Sequence, residues 1–325
     1  MQGTKLREPT ALSSISSPFV CSYVDAKMEG EDMFIVLEYI DAHPLSVTIS
    51  TLAKYRNSVD LSHQMLGFVD EYYIWYFLAD CLLGLYSIHA SNFLHRDIKP
   101  SNIMNIQSID GRHLPCICDL GLCRKRTDVV LSYNIGSPGY ASPEMIDPKK
   151  EGYDIRLDVF SLGVTILEFM ILRNPVKAYQ DPTLHGDSVE PFIELFPDDL
   201  IMRDVAKQQD VEVYSDELLQ IVAWMMSKNQ SHRPSVEQLL RTPPIIDYAK
   251  KTIEWYLEQT SLMDDELTLK RRQSMVEIQN LLNEAEICGE IEINRVFRWE
   301  DKILLQLDPN VAPPSIDPGN VYGYS

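Results

Sequence analysis

The chain has 325 residues, 45% of them hydrophobic and 24% charged, which suits one large or two medium folded domains and excludes a disordered chain. A formal net charge of −19 repels phosphate backbones and argues against nucleic acid as a main partner, though a small basic pocket for a phosphorylated ligand remains compatible with it. The six cysteines (21, 81, 116, 118, 123 and 288) lack the second pair or the His pair of a zinc site, so they are expected to be reduced, buried, small side chains of a cytoplasmic protein without a secretory leader.

In chain order, Pro9 suits the first position of a short helix over residues 9–15. Residues 19–25 and 33–40 read as two strands, joined by a connection over 28–32 that contains Gly30. A two-stranded hairpin is not stable alone in water, so something else must cover it. Over residues 73–90, Leu78, Cys81, Leu82, Leu85 and Ile88 follow helical spacing and predict a long amphipathic helix that ends near His95. Short strand-like pieces surround the turn signal at 108–111. Residues 158–172 are apolar nearly all round, as in a helix buried at the centre of a domain. The run 159–172 is too short to span a bilayer and contains Glu168, so no membrane partner is expected. Helices are predicted over 216–228 and 235–240. Beyond Pro244 come two charged helices, 246–259 and 265–287, and Met275, Ile278 and Leu282 share one face of the second. That stripe suits a coiled coil or packing back onto the domain equally well. The Pro/Gly-rich end, from about 306, is expected to be disordered.

The segment His95-Arg96-Asp97-Ile98-Lys99-Pro100-Ser101-Asn102 resembles the catalytic loop of protein kinases, H-R-D-x-K-x-x-N. Phosphoryl transfer needs an oriented acceptor hydroxyl, neutralised phosphate charge and a held metal more than it needs covalent help. The resemblance implies that Asp97 accepts the hydroxyl proton, Lys99 steadies the transferring phosphate and Asn102 holds Mg²⁺. Asp119-Leu120-Gly121 looks like the D-F-G element, with Asp119 as a second hard-oxygen metal ligand and Gly121 closing the motif. The segment from Gly136 to Glu144 is similar to the serine/threonine kinase sequence G-T-P-x-Y-x-[AS]-P-E, with Ser137 in place of threonine. In that family the final glutamate pairs with a later arginine, here Glu144 with Arg233 of His232-Arg233-Pro234-Ser235, and Asp158 matches a buried aspartate that braces the catalytic loop.

Lys99 indicates serine/threonine specificity, and the wording of these motifs looks most like the NIMA-related (Nek) kinases, which implies cytoskeletal or nuclear association as well. The implied fold is α+β and protein-kinase-like: a mainly helical C-lobe, a truncated N-lobe of one short helix and a β-hairpin, and a C-terminal helical extension. The expected divisions are 1–40 (N-lobe remnant and hinge), 41–245 (C-lobe), 246–305 (helical extension) and 306–325 (tail). Leu37 sits at the gatekeeper position, with Glu38 and Ile40 at the hinge and Met104 under the adenine, so ATP and Mg²⁺ are the implied cofactors. Protein substrates are the implied partners, and the C-terminal helices offer a further partner surface. Leu12, Tyr23, His95 and Leu120 match the stacked side chains that link kinase lobes, and Pro44 replaces an acid often found near the ribose. Thr127 and Ser132, within reach of Arg96 and the basic run 124–126, are candidate regulatory phosphorylation sites. No G-x-G-x-x-G and no V-A-I-K occur before Leu12. Glu8 falls where that lysine's partner belongs, but the following Pro9 disfavours helical geometry there. An active kinase, a pseudokinase-like scaffold and a piece of a longer kinase are the three readings these motifs leave open.

Overall fold

A computed structural model describes residues 13, 15–30, 32–58, 69–108, 110–126, 136–146, 152, 154–175 and 214–287. Among them, β1 (Tyr23–Glu29) and β2 (Asp32–Leu37) form an antiparallel hairpin. Then come β3 (His43–Pro44), α1 (Leu45–Ser58), α2 (Glu71–Ala90) and β4 (Phe93–Leu94). β5 (Ile103–Gln107), β6 (His113–Ile117) and β7 (Arg124–Lys125) follow. The helices α3 (Pro143–Ile146), α4 (Arg156–Ile171), α5 (Asp216–Met225) and α6 (Val236–Leu240) come next. The described chain ends with α7 (Ile245–Gln259) and α8 (Glu266–Ile287). Among the described residues the strands make three small sheets, β1-β2, β3-β5-β6 and β4-β7, and the other regular elements are helices, an α+β architecture.

The helices owe their positions to caps and burial. Asp70 caps α2 by accepting the Tyr72 N–H at 2.8 Å, which satisfies one of the amides a helix start leaves unpaired. Ser235 and Gln238 form a reciprocal capping box at α6. From Phe77 to Leu85 every residue of α2 is buried. Its middle is therefore enclosed rather than amphipathic, and it ends at Ala90, five residues before His95. α4 is buried from Leu157 to Ile171, as its sequence predicts. One core cluster runs through α2, α4, α5, α6, α7 and α8, and Met275, Ile278 and Leu282 are buried in it, so the apolar face of α8 packs back onto the domain. These elements lie in a single compact unit, Met1–Glu290.

Two sequence expectations need correction. The strands are displaced: β1 begins at Tyr23 and runs through Glu29, whereas the sequence places a strand over 19–25 and a turn from Met28. Phe19 and Val20 are apolar because they plug the core, 1% and 2% exposed, not because they alternate in a strand. Phe19 O accepts from Ile117 N–H at 2.8 Å and Cys21 N–H donates to Ile117 O at 2.9 Å, tying the segment to β6. A Cβ at Gly84 would stand 2.8 Å from Phe19 O, so glycine is what lets α2 approach this backbone. The second correction is α1, which the sequence does not announce. Val47, Thr48, Ile49 and Thr51 are β-branched and helix-poor, and the buried Leu45 and Ile49 hold the helix by packing instead. The short helix expected over 9–15 lies outside the described residues except at Ser13 and Ile15, and the tail from 306 lies wholly outside them. Cys21, Cys81, Cys116 and Cys123 are buried thiols and Cys118 is half-buried. Among the described residues no helix is long and apolar enough to cross a membrane.

Candidate active site

Asp158, in the first turn of α4 and fully buried, organises the loop that follows β4. Its Oδ2 accepts from the backbone N–H of His95 and meets His89 Nε2, both at 2.9 Å, and its Oδ1 accepts from Arg96 N–H at 2.7 Å. Burial alone would raise the Asp158 carboxyl, but His89 and these donors outweigh it and hold it below the usual carboxylate range. Arg96, which carries the second anchored amide, adopts φ 67°, a left-handed geometry that costs a non-glycine residue energy and that the fixed loop maintains. The Arg96 side chain is buried, and its Nε–H donates to Leu122 O at 2.6 Å.

The loop presents Asp97 within a closed set of polar partners. Lys99 Nζ donates to Asp97 Oδ2 and to Ser137 Oγ, both at 2.6 Å. Ser137 Oγ donates to Asp97 Oδ1 at 2.8 Å, and Asn102 Nδ2 donates to Asp97 O at 2.9 Å and to Oδ2 at 3.0 Å. Burial pushes the Asp97 carboxyl up, yet the hydrogen bonds from Lys99, Ser137 and Asn102 and the Lys99 charge pull it further down, leaving an ionised carboxylate. Gly136 lets the second loop come this close: its φ is +94°, and a Cβ there would lie 3.0 Å from Arg96 O. Such a carboxylate can accept a proton from a hydroxyl, and the ammonium beside it can balance the charge of an anion.

The β5–β6 ladder brings Asn102 and Asp119 together. Ile103 opposes Ile117, and Cys118 N–H donates to Asn102 O at 2.8 Å, so Asp119 stands one residue past the register position of Asn102. His95 closes the same end, its Nε2 3.0 Å from Cys118 O, and burial keeps its imidazole below the usual histidine pKa. Asp119 is the second left-handed non-glycine residue of the site, φ 63°, and among the described residues its Oδ1 takes a long 3.4 Å contact from Gly121 N–H.

The supporting contacts are equally explicit. Arg233 Nη1 and Nη2 bind Glu144 Oε1 and Oε2 at 2.7 and 3.2 Å, both side chains buried. At the other margin, Glu38 follows β2, and Ile40 O accepts from Ala42 N–H at 2.9 Å just before β3. β3 pairs Pro44, four residues after Ile40, with Met104 of β5; Pro44 is tolerated because β3 is an edge strand. Tyr23 is half-buried against the core, and Leu120 is buried, as is His95. Leu12, Thr127 and Ser132 lie outside the described residues. Two contacts carry no sequence signal: His89 on Asp158, and Arg271, whose Nη2 donates to Glu38 Oε1 at 2.5 Å from 233 positions away.

Residues 1–245 match the family model described as the protein kinase domain. Over 250 residues the chain is 27% identical to the human serine/threonine-protein kinase Nek2, covering 74% of this chain and 49% of that protein. It is 29% identical over 248 residues to the rice (Oryza sativa subsp. japonica) serine/threonine-protein kinase Nek6, covering 76% and 40%. It is also 26% identical over 322 residues to mouse Nek2, covering 91% and 66%. The chain thus spans between 40% and 66% of the length of these curated relatives, all Nek kinases. With its loops braced by Asp158 and most of its length matched by that model, the chain belongs to the protein kinase family.

Proposed function

We propose that this chain is an ATP-dependent protein serine/threonine kinase of Nek type, moving the γ-phosphoryl group to a protein hydroxyl. The observation that carries the reading is the network at Asp97: an ionised carboxylate held on one oxygen by Ser137 and on the other by Lys99 and Asn102. In this reading Asp97 takes the proton of the acceptor hydroxyl as its oxygen bonds to the γ-phosphorus, and the bond to the ADP oxygen breaks. Lys99 balances charge on the transferring phosphoryl group, and Ser137 holds the carboxylate oriented.

The donor set fits Mg²⁺. Asn102 has its NH₂ committed to Asp97, which leaves its amide oxygen for a cation, and Asp119 adds a carboxylate that among the described residues has one long contact. Mg²⁺ is held by one or two such groups plus substrate phosphates rather than by an all-protein cage. When bound, it supplies charge neutralisation and orientation of the phosphates. Segment 38–40 and Met104 would frame the adenine. Thr127 and Ser132 would take regulatory phosphates near the basic run 124–126. Residues 41–245 form the catalytic lobe in this reading, and residues beyond 245 an extension to it.

The test is transfer of labelled phosphate from Mg²⁺-ATP to a generic protein substrate by the wild type and by Asp97→Asn. We expect the variant to lose at least about a hundredfold, the usual worth of a positioned base. Equal rates from the two proteins would contradict the reading.

A further inference from the structure

α8 lies past residue 245, where the match to the kinase domain ends, yet it reaches back to the segment that leaves β2. Arg271 Nη2 donates to Ser22 Oγ at 2.7 Å and to Glu38 Oε1 at 2.5 Å. Ser22 N–H donates to the same Glu38 oxygen at 2.9 Å, and Glu38 N–H returns a bond to Ser22 O at 3.0 Å. One carboxylate oxygen therefore gathers a guanidinium and a backbone amide. The side chains of Arg271 and Glu38 are only 16% and 22% exposed, which removes this pair from the weak, screened class of surface ion pairs. α8 does not need the pair for anchorage, since Met275, Ile278 and Leu282 are already buried in the core. What the pair adds is a fixed Glu38, the first residue of the segment whose backbone is assigned above to adenine. Fixing a binding segment before its ligand arrives lowers the ordering cost of binding.

We propose that Arg271 is a positioning residue for the nucleotide site, so that docking of α8 and binding of Mg²⁺-ATP are thermodynamically coupled. The proposal rests on the kinase reading. Coupling is reciprocal, so nucleotide binding must tighten α8 by the same factor that α8 contributes to nucleotide affinity.

The full chain is used throughout. Titration calorimetry with Mg²⁺-ATP compares the wild type, Arg271→Ala and Arg272→Ala. Arg272 donates to Leu257 O and Thr260 Oγ and not to Glu38, so its loss removes an equal charge from α8 while the Arg271–Glu38 pair and the buried face of α8 stay in place. We expect Arg271→Ala to weaken binding about fivefold or more and Arg272→Ala to stay within about twofold. Arg271→Gln, which keeps most of the stem, provides the same comparison if the alanine variant folds poorly. Hydrogen exchange gives the reciprocal readout: Mg²⁺-ATP slows amide exchange in the first turns of α8 in the wild type and not in the Arg271 variant. If the wild type binds Mg²⁺-ATP and the Arg271 variants bind it equally well, the coupling is refuted and the kinase reading stands. If the wild type does not bind Mg²⁺-ATP, both fall together.

Discussion

Arg233 commits all five of its N–H donors inside the protein: two to Glu144, two to Ser227 O and one to Arg156 O, with its guanidinium 4.9 Å from the Phe160 ring centroid. A buried charge so enclosed tolerates no loss of its counter-ion. Glu144→Ala leaves the guanidinium buried and uncompensated, and we expect it to cost about 3–5 kcal/mol in urea denaturation. A loss under about 1 kcal/mol would mean that the backbone carbonyls suffice. The residues of this pair are legible in the sequence because motif order sets Glu144 and Arg233 in a family context. Their chemistry alone does not reveal it, since a glutamate and an arginine 89 positions apart are ordinary surface residues. Arg271 lies outside every motif, so its contact with Glu38 could be found only in three dimensions.

At the scale of elements, α2, the β5–β6 turn and α7 converge on Asp80, a fully buried carboxyl of α2 whose two oxygens lack a close hydrogen bond among the described residues. Arg112, in the turn between β5 and β6, approaches to 3.9 Å while it lies over the rings of Tyr76 and Trp255 and donates to Thr252 of α7. Burial pushes the Asp80 pKa up from 3.8 to about 7, against smaller opposing effects of Arg112 and Thr252. The folded protein therefore holds a proton that the unfolded chain has already lost between those values. The contribution of Asp80 to stability falls as pH rises from about 4 to about 7, by at most about 1.4 kcal/mol per pH unit, and is flat above. Asp80→Asn should match the wild type near pH 4 and become progressively the more stable protein toward pH 8, by thermal unfolding across that range. A stability difference that does not change with pH would show that Asp80 does not titrate there. Helix periods made α2, α4 and α5 to α8 readable within a few residues. α1 and the true start of β1 were not readable, because packing rather than propensity holds the one, and core burial imitates strand patterning in the other.

Across the described molecule, one core joins α1, α2 and α4 to α8, and the two loops that meet at Asp97 are braced from it by Asp158 and by Arg233. The left-handed residues Arg96 and Asp119 fall in the two motif loops, where a rigid surround can maintain such geometry. The acidic balance of the chain, −19 overall, means that the nucleotide proposed to bind would gain nothing from long-range attraction and would be held by local charges: Lys99, and the cation that Asn102 and Asp119 are proposed to hold. The most direct measurement is therefore the affinity of the full chain for ATP with and without Mg²⁺, in the wild type and in Asp119→Asn. We expect Mg²⁺ to tighten ATP binding to the wild type at least about tenfold and Asp119→Asn to lose most of that gain while binding metal-free ATP as before. ATP affinity that is indifferent to Mg²⁺, or a gain that survives intact in Asp119→Asn, would contradict the proposed convergence of Asp97, Asn102 and Asp119 on one metal-bound phosphate tail.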